Sequence, residues 1–132
     1  MATVVSPLSV TLHRHDPAVA VVTLLGEHDS QSAGRLESEL ALLLDERVNL
    51  VADLSEATFL DYHALSVLLS ARYRAEEEQL GFVLVPPESD STQVHRTLEI
   101  TGLESTFALS PTVDEALPAS RAGRTTGRPS LY

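Results

Sequence analysis

Residues 50–85 read LVADLSEATFLDYHALSVLLSARYRAEEEQLGFVLV and form the most informative stretch of the chain. An apolar strand over 50–54 leads to a sharp turn at Asp61, then to a helix, and then to a second apolar strand over 82–85. Two strands joined by a helix are expected to lie parallel, with a right-handed crossover. The turn therefore exposes polar side chains at a helix N-terminus beside the carboxyl end of a strand, where open α/β sheets usually carry their recognition sites.

The residues before this unit predict a hairpin and then a helix. Leu8, Val10 and Leu12 alternate with polar residues, which is typical of a strand with one solvent-facing side. Residues 18–25 form a nearly continuous apolar run, as in an interior strand buried on both faces. The two strands are close enough in sequence to form an antiparallel hairpin. The helix that follows carries apolar side chains at helical spacing, namely Leu36, Leu40, Leu43 and Leu44.

The residues after the central unit predict three short elements. Residues 90–100 read as a helix that Gly102 closes as a left-handed cap. Residues 107–109 are expected to add a short edge strand. Thr112 begins a capping box for a last helical turn.

The C-terminal residues predict the end of the domain. From Pro118 onward Gly, Arg, Ser and Pro dominate, and almost no apolar side chain is left to bury. We therefore expect one domain over 1–117, followed by a disordered basic C-terminal tail over 118–132. A length of 132 residues suits a single core.

Composition restricts the classes of partner and of chemistry. The formal net charge of −10 argues against nucleic acid as a partner, because acidic surfaces repel phosphate backbones. No apolar run approaches the roughly 20 residues needed to span a bilayer, and the first residues lack the features of a signal peptide. A membrane partner is therefore not expected, and a cytoplasmic location is the default. The chain has no Cys, which excludes disulfides and thiolate metal sites.

The sequence offers little support for catalysis or for a bound metal. His13 and His15 share one predicted strand face near Asp16, but no His-x-x-x-His spacing accompanies them, so no metal site is predicted. The best acid–base pair would be His63 with Asp61 or His28 with Asp29, yet nothing identifies a nucleophile or a substrate pocket. We therefore predict no catalytic residue, no cofactor and no enzymatic activity.

Several motifs within residues 8–117 resemble those of STAS domains, the fold of bacterial anti-sigma factor antagonists. The family pattern has Gly-Glu-Leu-Asp, Asp-Leu-Ser, Asp-Ser-Ser-Gly-Leu-Gly and Leu-Thr-Gly-Leu. The matching residues here are Gly26-Glu27-His28-Asp29, Asp53-Leu54-Ser55, Asp61-Tyr62-His63-Ala64-Leu65-Ser66 and Leu98-Glu99-Ile100-Thr101-Gly102-Leu103. The resemblance implies a single STAS-like α/β domain, with a mixed four- to five-stranded sheet and helices packed mainly on one face.

The resemblance also implies a function. An antagonist of this kind binds an anti-sigma factor, expected to be of the serine-kinase type, and so frees a sigma factor for transcription. The residues expected to contact that partner are Asp29, Ser30, Asp61, Tyr62, His63 and Ser66. Self-association as a homodimer stays open. The alternative function is that of a non-enzymatic STAS subunit in a larger signalling or lipid-transport assembly.

The resemblance fails at one functional position. In phosphorylated members the second Ser of Asp-Ser-Ser-Gly is the phosphoacceptor, and this chain has His63 there. Imidazole cannot serve as a serine-type acceptor, so the usual switch is expected to be missing. Three interpretations stay open: a permanently active binder, a binder that is switched by other means, and a degenerate member with a structural role. Ser66, one helical turn later, is the candidate for a displaced acceptor.

Overall fold

The structure, a computed structural model, describes residues 7–13 and 17–126. Its strands are β1 (Leu8–His13), β2 (Val19–Leu24), β3 (Gly26–His28), β4 (Asn49–Asp53), β5 (Ala57–Leu60), β6 (Phe82–Val85) and β7 (Ala108–Leu109). Its helices are α1 (Ser30–Asp45), α2 (Tyr62–Glu77), α3 (Gln93–Thr101) and α4 (Val113–Arg121), with a 3₁₀ turn at Leu103–Ser105. The alternation of strands and helices confirms the predicted α/β class.

A five-stranded mixed sheet forms the centre of the molecule, in the order β1-β2-β4-β6-β7. β1 pairs antiparallel with β2, which confirms the predicted hairpin. β2 with β4, β4 with β6, and β6 with β7 are parallel. The sequence did not indicate the second sheet, in which β3 and β5 pair parallel.

Both faces of the central strands are buried, which explains their nearly continuous apolar sequences. One face contributes Ala20, Leu50 and Leu84 to a core shared with α1, α2 and α3. The other face contributes Val21, Val51 and others to a smaller core that α4 covers. Three of the four helices therefore lie on one face, as predicted, and only α4 lies on the other.

Glycines act at two places in different ways. Gly102 ends α3 in the left-handed conformation, with φ of 73°, as predicted. The sequence also suggests that Gly81 stops α2, but that helix already ends at Glu77. A Cβ on Gly81 would lie 1.9 Å from the carbonyl oxygen of Ser120. Gly81 is therefore needed for the close approach of α4 to the sheet, and not for ending a helix.

The prediction of a disordered tail from residue 118 is wrong for residues 118–126. α4 continues through Pro118 to Arg121. The Ser120 side chain is fully buried, and its hydroxyl donates a 2.8 Å hydrogen bond to the carbonyl of Leu50. Composition suggested disorder because this segment lacks large apolar side chains. Small side chains and hydrogen bonds hold it against the sheet instead. Residues 127–132 lie outside the described part of the chain.

A buried arginine fixes the residues that follow α4. The Nε of Arg72 donates a 2.7 Å bond to the carbonyl of Thr125, and its Nη2 bonds Glu76 Oε2 at 2.7 Å. The Thr125 hydroxyl donates to the same Glu76 oxygen at 3.3 Å. The backbone N–H of Phe82 bonds the carbonyl of Arg124, so the segment also continues the hydrogen bonding of β6. The domain therefore extends at least to residue 126.

Two truncations should separate the docked segment from the residues beyond it. Removing 118–132 should lower the free energy of unfolding by at least about 2 kcal/mol, because the buried Arg72 guanidinium loses a hydrogen-bond acceptor. Removing only 127–132 keeps every contact described above and serves as the control. The measurement is urea denaturation followed by circular dichroism, and equal midpoints for the two truncations would contradict the expectation.

Candidate functional site

The candidate site is built by the short parallel pairing of β3 with β5. His28 and Leu60 are register partners at its end, and the N–H of Asp61 donates a 3.0 Å bond to the carbonyl of His28. Asp29 follows β3 directly and Asp61 follows β5 directly. The structure therefore brings the starts of α1 and α2 to one edge.

Both aspartates act as helix caps. Asp29 accepts bonds from the N–H groups of Gln31 and Ser32 at 2.9 and 3.4 Å, and the Ser32 hydroxyl accepts the N–H of Asp29 in return. Asp61 accepts the N–H of Ala64 at 2.8 Å. Capping satisfies backbone groups that the first turn of a helix leaves without partners. The two carboxylates therefore define where α1 and α2 begin.

The other predicted site residues are exposed on the first turns of the two helices. Tyr62 is 70% exposed. His63 and Ser66 on the same helix are also exposed, and so is Ser30 at the start of α1. The Ser66 hydroxyl donates a 2.7 Å bond to the carbonyl of His63. Among these exposed residues, Tyr62 has the largest apolar side chain.

Two further residues belong to this region and are not among the six predicted ones. Phe59, two residues before Asp61, is 38% exposed on β5. Gln93 of α3 accepts the N–H of Leu60 at 2.9 Å and donates to its carbonyl at 3.1 Å. Its side-chain amide thus pairs with β5 as the backbone of another strand would. Phe59 could have been found from its place in the apolar pair before Asp61, whereas nothing in the sequence marks Gln93.

His28 lies beneath the site and is only 1% exposed. Its Nε2 is 3.1 Å from the carbonyl of Leu25, which can only accept, so Nε2 carries the proton. Its Nδ1 is then an acceptor and lies 3.3 Å from the Ser32 hydroxyl, whose hydrogen it shares with the Asp29 carbonyl at 3.2 Å. The ring therefore connects the end of β3 to the capping box of α1. Burial lowers the pKa of His28 below its ordinary value, more than its backbone hydrogen bonds and the charge of Asp29 raise it.

The loops around the site are acidic. The segments 25–29, 53–61 and 86–92 follow the carboxyl ends of the parallel strands β2, β4 and β6, and none of them contains an arginine. Their acidic residues are Glu27, Asp29, Asp53, Glu56, Asp61, Glu88 and Asp90. Such an edge attracts basic surfaces and repels anionic ones.

The described residues offer no clear place for a metal or a metabolite. Within 7–13 and 17–126, no group of three or more His, Asp or Glu side chains is arranged to hold a metal ion. No helix in this part of the chain is long and apolar enough to cross a membrane. A groove of about 140 Å³ lies between α1 and α2, well below the usual size of a metabolite pocket. None of the six predicted site residues lines it.

The buried neutral imidazole predicts a specific pH dependence of stability. His28 in the unfolded chain takes up a proton near pH 6.5, whereas the folded protein resists protonation until a lower pH. The free energy of unfolding should therefore fall as the pH drops below about 6.5. Replacing His28 by Leu should flatten this dependence between pH 6.5 and 5, and the exposed His63→Gln serves as the control. Denaturation midpoints at each pH provide the measurement, and an unchanged slope in His28→Leu would contradict the prediction.

Comparison with known proteins agrees with this architecture. The STAS domain model matches residues 10–116. The anti-sigma-F factor antagonist RsfB of Mycobacterium tuberculosis is 30% identical over 119 residues, which cover 89% of this chain and 93% of that protein. A crystal structure of an anti-sigma factor antagonist from Mycobacterium paratuberculosis is 34% identical, with a TM-score of 0.66, over 86% of this chain and 94% of that one.

A more distant structure shows the same fold. A putative anti-sigma factor antagonist from Thermotoga maritima is 21% identical, with a TM-score of 0.64, over 78% of this chain and 87% of that one. The matched residues contain both strands of the β3–β5 pair and the starts of α1 and α2. This chain belongs to the STAS domain family.

Proposed function

We propose that this chain is an anti-sigma factor antagonist, which binds an anti-sigma factor and so frees a sigma factor for transcription. Its relative from Mycobacterium tuberculosis, RsfB, is an anti-sigma-F factor antagonist, which supports the proposal. The observation that carries it is the β3–β5 pairing, which sets two exposed helix starts side by side. A binding protein of this kind needs no catalytic group, and its targets place it in the cytoplasm.

The docking surface in this proposal consists of Asp29, Ser30, Asp61, Tyr62, His63 and Ser66. Tyr62 would be its anchor, since exposed aromatic side chains carry much of the energy of protein interfaces. The aspartates keep their capping roles, so the backbone of the surface is rigid before the partner arrives. The acidic loops around it favour a partner with a basic docking face.

We further propose that the partner is of the serine-kinase type and that it cannot switch this antagonist off in the usual way. His63 occupies the position at which the family pattern has its acceptor serine. The Ser66 hydroxyl bonds the carbonyl of His63 within α2, so it is engaged with its own helix. A chain without an acceptor would stay competent to bind for as long as it persists.

The docking surface can be tested with a double variant. Tyr62→Ala with His63→Ala should weaken binding to the cognate anti-sigma factor by more than about tenfold, because the anchor and its neighbour are removed. Tyr73→Ala, which removes a 52% exposed tyrosine farther along the same helix, is the matched control. Isothermal titration calorimetry measures the affinity, and circular dichroism checks the fold. Unchanged affinity in the double variant would place the interface elsewhere.

If no anti-sigma factor binds at all, the main proposal fails. Co-purification of the wild-type chain only with transporter or signalling-complex subunits would then favour the alternative, a structural STAS subunit.

The missing switch can be tested by restoring the serine. Incubation of the wild-type chain with the cognate anti-sigma kinase and ATP should leave it unmodified, whereas His63→Ser should gain one phosphate at residue 63. Asp61 caps α2 through its own side chain, so the backbone should survive the change. The new phosphate should weaken binding through charge and bulk near the Asp61 carboxylate.

Mass spectrometry with peptide mapping provides the measurement, and His63→Ala is the control that lacks any acceptor. Phosphate on the wild-type chain at His63 or Ser66 would contradict the claim of a missing switch.

A further inference from the structure

β1 is the outer strand of the five-stranded sheet and is its one long edge. Among the described strands it pairs only with β2, from Leu8 opposite Leu24 to His13 opposite Val19, without a bulge. The strand at the opposite edge, β7, has two residues. From Ser9 to His13, this edge strand directs backbone N–H and C=O groups outward, where they can pair with a further strand.

The middle of β1 is exposed and uncharged. Val10 is 40% and Leu12 is 37% exposed. Their register partners, Val22 and Ala20, belong to the core beneath the helices, so both side chains lie on that face of the sheet. β1 has no Pro, no bulge and no Lys, Arg, Asp or Glu. Proline, bulges and charged side chains are the features that usually keep an edge strand from pairing, and β1 has none of them.

Charge singles out β1 as a contact between copies of this chain. Each copy has a formal net charge of −10, so two copies repel each other over most of their surfaces. Every one of the four helices carries acidic residues, and Glu56 and Asp61 flank the exposed strand β5. β1 offers a surface where two such copies can meet without bringing carboxylates together.

We propose that two copies of this chain join edge to edge through β1, antiparallel, into one continuous ten-stranded sheet. A two-fold axis perpendicular to the sheet keeps each side chain on its own face, and directly opposed residues must share a face. The axis must therefore lie level with one residue, which then faces its own copy, and not midway between two successive residues. An axis at Thr11 sets Val10 of each copy opposite Leu12 of the other, which joins all four exposed apolar side chains.

This interface does not depend on the proposed function. β1 contains none of the six residues of the docking surface, so a dimer could exist whether or not the chain binds an anti-sigma factor. Salt should strengthen self-association, because it screens the repulsion between two acidic copies. Association with a basic partner should respond to salt in the opposite direction.

Sedimentation equilibrium provides the first test. The wild-type chain should reach twice the monomer mass as its concentration rises. Thr11→Glu should raise the dimer dissociation constant by roughly tenfold or more, because two carboxylates then face each other across the axis. Ser38→Glu adds the same charge at an exposed position of α1 and is the control. A wild-type chain that stays monomeric at several hundred micromolar would overturn the proposal.

Disulfide trapping tests the register, since the chain has no Cys of its own. Opposed residues in antiparallel strands have Cα atoms about 4.5 to 5.5 Å apart, which suits a disulfide. Thr11→Cys should therefore form a covalent dimer under mild oxidation. Ser9→Cys should not, because the two copies of residue 9 would lie about 13 Å apart along the strands.

Two further outcomes would contradict the β1–β1 dimer. A dimer that Thr11→Cys fails to trap would place the interface elsewhere and overturn the proposal. A wild-type monomer that dimerises only after deletion of residues 2–6 would show that the chain's own N-terminus occupies the edge, which also overturns it.

Discussion

The candidate surface depends on one short parallel pairing, between β3 and β5. Three residue pairs and the bond from the Asp61 N–H to the His28 carbonyl hold it together. Each strand runs directly into the aspartate that caps the next helix, so this pairing fixes the distance between two helix starts. A shift of one residue in the register would turn the side chains of one strand to the opposite face. The relative position of α1 and α2 at this edge therefore follows from a very small number of backbone bonds.

An isolated pair of short strands is marginally stable, and two side chains reinforce this one. The Gln93 amide bonds both backbone groups of Leu60 on the outer side of β5. His28 bonds the Leu25 carbonyl and the Ser32 hydroxyl, which ties the inner side of β3 to the cap of α1. The neutral imidazole is suited to this place, since it donates at one nitrogen and accepts at the other. The surface is thus supported from below by polar contacts as well as by the apolar core.

Charge is distributed unevenly over the molecule. The loops at the carboxyl ends of the parallel strands are acidic, while β1 at the sheet edge carries no carboxylate. The segment after α4 lies at the amino ends of β6 and β7. Arg72 holds this segment through the carbonyl of Thr125. An acidic surface and an uncharged edge can serve two different associations, because electrostatics favours a basic partner at one and tolerates a like-charged copy at the other.

The α/β class, the hairpin and the parallel strands could be predicted from the sequence, as could the caps at Gly102 and Thr112 and membership of the family. These features follow from local patterns: apolar period, capping side chains and turn residues act over a few neighbouring positions. The folded structure was needed to reveal the pairing of β3 with β5, the role of Gln93, the burial of His28 and the docking of residues 118–126. Each of these depends on groups far apart in sequence, such as the Ser120 hydroxyl and the Leu50 carbonyl, whose meeting leaves no local pattern. Small and polar side chains make most of these contacts, and hydropathy does not distinguish them from solvent-exposed ones.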